Sequence, residues 1–311
     1  LFAQPPVWFI LAILFLRSVG TAFHMPAFSA ATPLLVPEDK LTKCTGFSQS
    51  ITSISHLVSP AAGAFFYVTW SLDKIVTIDI VGAVLACASV AMVHIPKYKA
   101  DESAPARHLQ KEMKDAYDVL RENKGLFSLL WIGMLYMFFF MPINALFPLM
   151  SMQYFNGTPA HAAATEIVFA TGMLVGGIIL GAWGGFKKRP LTIAMSIMLM
   201  GISLVVSGTL PQDSFIVFAV CCAAMGISAP FYGVQTALYQ EKIRQEYLGR
   251  VFSLSISTMS LAMPLGLLFA GVFAQQIGVQ MWFLISGIGI MVISVVTLLL
   301  PSVKAIDSNR K

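Results

Sequence analysis

Nine stretches of this chain stay apolar for about 20 residues, the length at which a helix crosses the hydrocarbon of a bilayer. They run over residues 6-26, 47-69, 75-94, 126-149, 164-184, 191-210, 215-236, 252-274 and 281-300. None shows the two-residue alternation of a membrane β-strand, so an outer-membrane barrel is excluded. The fold class expected is all-α and polytopic. Only 11% of the 311 residues are charged and 57% are hydrophobic, whereas soluble domains carry about a quarter charged residues. A soluble enzyme is therefore excluded. Cys44, Cys87, Cys221 and Cys222 lie in or beside apolar runs without metal-ligand spacing and read as small hydrophobes.

The charge sorts by side. Alternating the connecting segments across the membrane places eighteen of the twenty Lys and Arg residues together, among them Lys40, Lys43, Lys124, Lys187, Lys188, Arg189, Lys242, Arg244 and Lys304. Lys74 falls opposite and Arg17 lies within a span. The net charge of +5 thus marks topology rather than a nucleic-acid surface. By the positive-inside rule the basic side is cytoplasmic, which sets the C-terminus inside and Leu1 outside. The opening lacks a basic region and cleavage site and is not a signal peptide. The longest polar segment is expected to link two halves, and within it His108 to Asn123 is amphipathic, with Leu109, Met113, Ala116 and Leu120 on one side. The division expected is 1-95 for the first bundle, 96-124 for the linker, 125-303 for the second bundle and 304-311 for a cytoplasmic tail.

An internal repeat relates the bundles. At an offset of 204 residues Pro26 pairs with Pro230, Lys40 with Arg244, Ser53 with Ser257 and Pro60 with Pro264. Parallel repeats of this kind are the plan of a carrier with its site between two halves. Three spans precede the Pro230 helix in the second half and none precedes the Pro26 helix in the first. The repeat therefore predicts three further spans ahead of Leu1, six plus six in all.

Few polar residues interrupt the runs. Arg17 lies about 16 Å down its helix at 1.5 Å per residue, where a cation is costly and must face a cavity or a carboxylate. Thr21 and His24 extend its face. Asp79 and Glu166 are the acids within the runs. Facing a low-dielectric cavity, either is suited to carry a coupling proton; at the outward first turn, either instead complements a helix dipole. Arg17 and His24 have structural alternatives too, as an inter-helix donor and a satisfied interior histidine. Ser55, Ser59 and Gly63 recur every four residues beside Pro60 and form a small stripe suited to close helix approach or a seal. Tyr136, Phe140, Asn144 and Phe147 in the fourth span, with Tyr232 and Gln235 in the seventh, offer aromatic surface and amides to a large amphipathic ligand. Asn156-Gly157-Thr158 is formally a glycosylation acceptor in an outside loop. There is no P-loop to couple transport to nucleotide hydrolysis, and no nucleophile motif supports an intramembrane hydrolase.

These residues resemble the major facilitator superfamily. Ser55 to Ala64 is similar to its antiporter signature, with Ser59 in place of the glycine before Pro60. Arg17 with Gly20 resembles the fourth-helix arginine motif of drug-proton antiporters. Gly181, Lys187, Lys188 and Arg189 resemble the second copy of its cytoplasmic loop motif, with Gly185 where an acid is common, so a weak gating salt bridge is expected there. LFLRSVGTAFHMPAFSAATPLLVP, LTKCTGFSQS, FFMPINALFPLMSMQYFNGTP and YGVQTALYQEKIRQEYLGRVFSLSIS resemble the macrolide efflux (Mef-type) permeases of Gram-positive bacteria. The resemblance implies the two-bundle fold in a plasma membrane and export of macrolides against inward proton flux, with Arg17, Glu166, Asp79 and His24 in proton coupling. It implies no cofactor beyond the proton gradient, and functional cooperation with a ribosome-protecting ABC-F protein. Competing readings are a siderophore or metabolite exporter, an uptake facilitator, an intramembrane enzyme and a receptor.

Overall fold

The computed structural model describes residues 7–93 and 109–306. Twelve α-helices account for nearly all of these residues: α1 (Val7–Leu35), α2 (Leu41–Thr69), α3 (Leu72–Met92), α4 (Leu109–Glu122), α5 (Lys124–Leu149), α6 (Pro159–Trp183), α7 (Arg189–Thr209), α8 (Phe215–Tyr232), α9 (Val234–Lys242), α10 (Gln245–Ile277), α11 (Val279–Leu299) and α12 (Pro301–Lys304). Among the described residues seven helices are long and apolar enough to cross a membrane. With α1 and α2, each 29 residues long, they correspond to the nine apolar runs.

Most helices outlast those runs. α1 continues through Pro26 and Pro33, and α6 starts at Pro159 with Thr158 and His161 forming a capping box. Hydropathy marks where the hydrocarbon is. Helical hydrogen bonding continues wherever backbone groups gain by pairing, including the polar interface. The expected seventh span is the exception: it breaks at Gly233 into α8 and α9, where the Gly233 amide donates to the Pro230 carbonyl in a tight turn, 3.0 Å. Beyond Pro148, α5 widens into a π-helical turn, Met150–Tyr154.

The repeat is visible in the helix starts. α2 begins at Leu41 and α10 at Gln245, the offset of 204 seen in the sequence. In the second bundle α7 packs on α11, and α6 on α8. Glycine lets both pairs approach: a side chain at Gly201 or Gly287 would strike the facing helix, as would one at Gly172, Gly176 or Gly226. Ser294 adds a hydrogen bond from α11 to the Ala194 carbonyl of α7, 2.7 Å. Lipid provides no apolar driving force between helices, so close packing and such bonds hold the bundle. Phe147, Phe155, Phe218 and Phe283 fill its interior with ring centroids 5.0–6.1 Å apart along the chain of contacts.

The amphipathic linker forms α4, with Ala116 and Leu120 buried and Met113 exposed. Linker residues 94–108 and tail residues 307–311 lie outside the described set. The chain beyond α11 does not leave the bundle at once. Val303 and Ile306 are buried, and a side chain at Gly125 of α5 would strike Ile306.

Candidate functional site

Several described basic segments come together: Lys43 lies by Gly184, Arg189 pairs with Glu241, and Lys124, Lys242 and Arg244 line one hollow. α2 crosses α6 at Gly46. A Cβ on this residue would stand 2.8 Å from the Gly181 Cα and 2.9 Å from the Gly177 carbonyl oxygen. Ser50 and Ser53 continue the same buried face, each hydroxyl bonded to its own helix, at 3.0 Å to the Gly46 carbonyl and 2.7 Å to that of Gln49. Ser55 and Ser59, singled out in the sequence, are exposed and lie on the other side of α2, nine residues being two and a half helical turns from Gly46 to Ser55. Pro60 and Gly63 fall where the side chains of α2 are outside the described set. Among the described residues of α2 the close approach to α6 is at Gly46-Ser50-Ser53.

Gly184 and Gly185 turn the chain from α6 to α7 at φ +82° and +79°, a left-handed pair that side chains resist. The turn is closed by the Phe186 amide donating to Thr192 Oγ1, 2.9 Å. It delivers Arg189, the first residue of α7, to Glu241 of α9, with Nη1 2.5 Å from Oε2 and both side chains 9% exposed. The local sequence implied a weak salt bridge because Gly185 replaces the usual acid. The structure corrects this: the acid is supplied by α9, more than fifty residues away. Lys187 and Lys188 remain exposed. Alanine at Gly184 or Gly185 is expected to cost about 1–2 kcal/mol through left-handed strain, seen as a lowered Tm of the detergent-purified protein.

Two amides join α1 to the second half at this same end. Gln240 Nε2 of α9 donates to the Ser29 carbonyl at 2.7 Å, and Gln245 Nε2 of α10 to the Ala30 carbonyl at 2.6 Å.

Away from this end α1 and α10 border an open, mainly apolar groove of about 540 Å³, lined by Arg17, Ser18, Thr21, Ala22, Pro26, Ile256 and Ser260. Arg17 lines this groove and is itself exposed. Pro26 and Pro264 lack an N–H, which leaves the Ala22 and Ser260 carbonyls without their regular helical donors. The cavity thus combines a guanidinium, hydroxyls and backbone acceptors. His24 is absent from its lining and instead stacks on Phe28, ring centroids 6.2 Å apart. Asp79 and Glu166 are exposed on α3 and α6, beyond the first turns of those helices, and neither lines the cavity.

The aromatic candidates divide. Tyr136 stacks on Tyr232 and on Phe140, centroids 4.7 and 5.4 Å apart, a ring contact from α5 to the end of α8. Gln235, one turn on, donates Nε2 to the Leu129 carbonyl and Tyr239 Oη, each 3.0 Å, while its Oε1 and the Tyr232 hydroxyl are buried without a hydrogen-bond partner. Phe147 belongs to the aromatic interior and Asn144 is exposed.

Repeated bundles, lipid-length helices and a groove between α1 and α10 fit a membrane transporter. The chain belongs to the major facilitator superfamily, whose family model matches residues 1–252 and 132–311. It is 56% identical over 307 residues to Macrolide efflux protein A of Streptococcus pyogenes, covering 98% of this chain and 76% of that protein. It is 58% identical over 267 residues to Macrolide efflux protein A of Enterococcus faecalis, covering 86% and 83%. Multidrug efflux pump Tap of Mycobacterium tuberculosis is 24% identical over 311 residues, covering 96% and 72%. Among solved structures, the proton:xylose symporter XylE shares the fold at a TM-score of 0.59 and 14% identity, covering 89% of this chain and 67% of that one. The Mef-type resemblance read from the sequence is borne out.

Proposed function

We propose that this transporter exports macrolide antibiotics by alternating access, coupled to inward proton movement. The observation that carries the mechanism is the asymmetry of the interface: α1, α2, α6, α9 and α10 are bonded or packed together at the basic end, while the Arg17 cavity lies beyond that seal. With the basic end in the cytoplasm, this is the outward-facing arrangement, and the C-terminus lies inside. The substrate reading is supported by identity with the Macrolide efflux proteins A.

Each group then has a task. The cavity offers hydrogen-bond donors and acceptors to the oxygen-rich face of a macrolide, and the Tyr136-Phe140-Tyr232 stack offers apolar area when the halves close over it. In this reading Arg17 favours the ionised form of a carboxylate brought near it during the cycle. Glu166 and Asp79 are the described acids that merit testing in that role, and Gly46-Ser50-Ser53 supplies the cytoplasmic seal. Cooperation with a ribosome-protecting ABC-F protein belongs to the same reading.

The test is accumulation of labelled erythromycin in susceptible cells expressing the protein, with and without a protonophore. Low accumulation that rises with protonophore supports the proposal. Unchanged accumulation at confirmed expression discards macrolides and favours a siderophore or metabolite substrate. Arg17→Ala is expected to bring accumulation at least halfway to that of cells without the protein, and Arg17→Lys to restore part of the loss.

A further inference from the structure

Pro33 of α1 has no N–H to give the Ser29 carbonyl, the acceptor four residues earlier. An acceptor left bare in a low-dielectric interior is costly. The structure fills this vacancy from the other half of the molecule: Gln240 Nε2 donates to Ser29 O at 2.7 Å, with Gln240 buried. The orientation of the amide is fixed chemically, since a carbonyl oxygen accepts only from the nitrogen. One residue on, Gln245 Nε2 donates to Ala30 O at 2.6 Å. Gln240 also neighbours Glu241, the partner of Arg189. The short helix α9 therefore holds α1 on one side and α7 on the other, and Gly233 separates it from Tyr232 of the aromatic stack.

We propose that Gln240 and Gln245 are positioning residues of the transport cycle, a two-amide latch that holds the cytoplasmic side shut by capping carbonyls of α1, one of them freed by Pro33. When the halves part at this end, Ser29 O loses its donor. The open state is then disfavoured until water or a substrate-driven rearrangement supplies another. The latch sets the balance between inward- and outward-facing states without touching substrate. It rests on the alternating-access reading above and is independent of the substrate.

Cys44 is a native reporter. It is half-buried in α2 beside the seam, between Lys43, which lies near Gly184, and Thr45, whose Cγ2 would be 3.1 Å from a Cβ on Gly233. In a Cys87→Ser background, its alkylation by a membrane-impermeant maleimide is measured in inside-out vesicles. A second reporter, Ser260→Cys in the Arg17 cavity, is labelled in right-side-out vesicles carrying Cys44→Ser as well. Gln240→Glu keeps the side-chain volume and, when ionised, replaces the donor with an acceptor that repels the Ser29 carbonyl. It is expected to raise Cys44 labelling about three- to tenfold, the value of one net hydrogen bond, and to lower Ser260→Cys labelling reciprocally. Local loosening moves only the first probe.

Pro33→Ala supplies the missing N–H to Ser29 O. In that background Gln240→Glu is expected to change labelling less than twofold. Gln245→Glu carries the same reciprocal test if Gln240→Glu fails to reach the membrane. Labelling of Cys44 without the reciprocal change overturns the latch, as does an equal effect of Gln240→Glu with and without Pro33. The assay contains no drug, so an incorrect macrolide assignment leaves its result unaffected.

Discussion

Replacing Arg189 by alanine is expected to raise erythromycin accumulation to that of cells lacking the protein. Arg189 and Glu241 are both nine-tenths buried and 2.5 Å apart. Removing one partner leaves the other charge without compensation at a cost of about 3–5 kcal/mol, enough to unseat α9 from α7. Arg189→Lys keeps the charge but loses the planar guanidinium fork, and its export should be intermediate. The charge-reversed pair Arg189→Glu with Glu241→Arg is expected to recover part of the export lost in either single variant. Accumulation, normalised to protein detected in the membrane, is the measurement. No recovery in a well-expressed double variant would show that the positions of these groups, rather than their attraction, govern the seal.

The second large effect belongs to Gly46. Leucine here meets backbone atoms of Gly177 and Gly181 rather than mobile side-chain ends, so the crossing of α2 and α6 must open. Overpacking of this kind costs about 3 kcal/mol, or roughly a hundredfold in the population of the sealed state. Gly46→Leu is expected to insert normally and to lose export. Ser55→Leu, on the exposed side of the same helix, should keep most of it. Equal loss in both would place a second contact on the Ser55 face. The comparison separates the seal observed at Gly46-Ser50-Ser53 from the stripe at Ser55, Ser59 and Gly63 suggested by the antiporter signature.

The helix α2 shows what a local pattern leaves open. Small residues at helical spacing, three or four apart, occur on two faces of α2, and both satisfy the pattern for close approach. Only the position of α6 selects the Gly46 face. Arg189 teaches a related lesson. The sequence near Gly185 lacks the customary acid, but α9 supplies Glu241 once the chain has folded back. Arg17 stood out in the sequence because a guanidinium deep in an apolar run has few affordable surroundings, and it lines the groove between α1 and α10. The seven-helix set that meets the span criterion and the matched starts of α2 and α10 were also legible, because hydropathy and repeats are properties of the chain itself. Gln240 and Gln245 were not singled out. The bare Ser29 carbonyl could have been inferred from Pro33, but nothing local shows which side chain caps it.

Sequence alone determined that the chain spans a membrane as helices and that it carries a parallel repeat, and it set the expectation that the basic segments share one side. These follow from hydrocarbon length, obligatory backbone pairing and the distribution of charge, each readable in one dimension. Tertiary structure decided which face of α2 seals, which acid binds Arg189, and which carbonyls of α1 are capped across the halves. Those outcomes depend on contacts between residues up to 215 positions apart, where packing and desolvation select one partner among many of equal local merit.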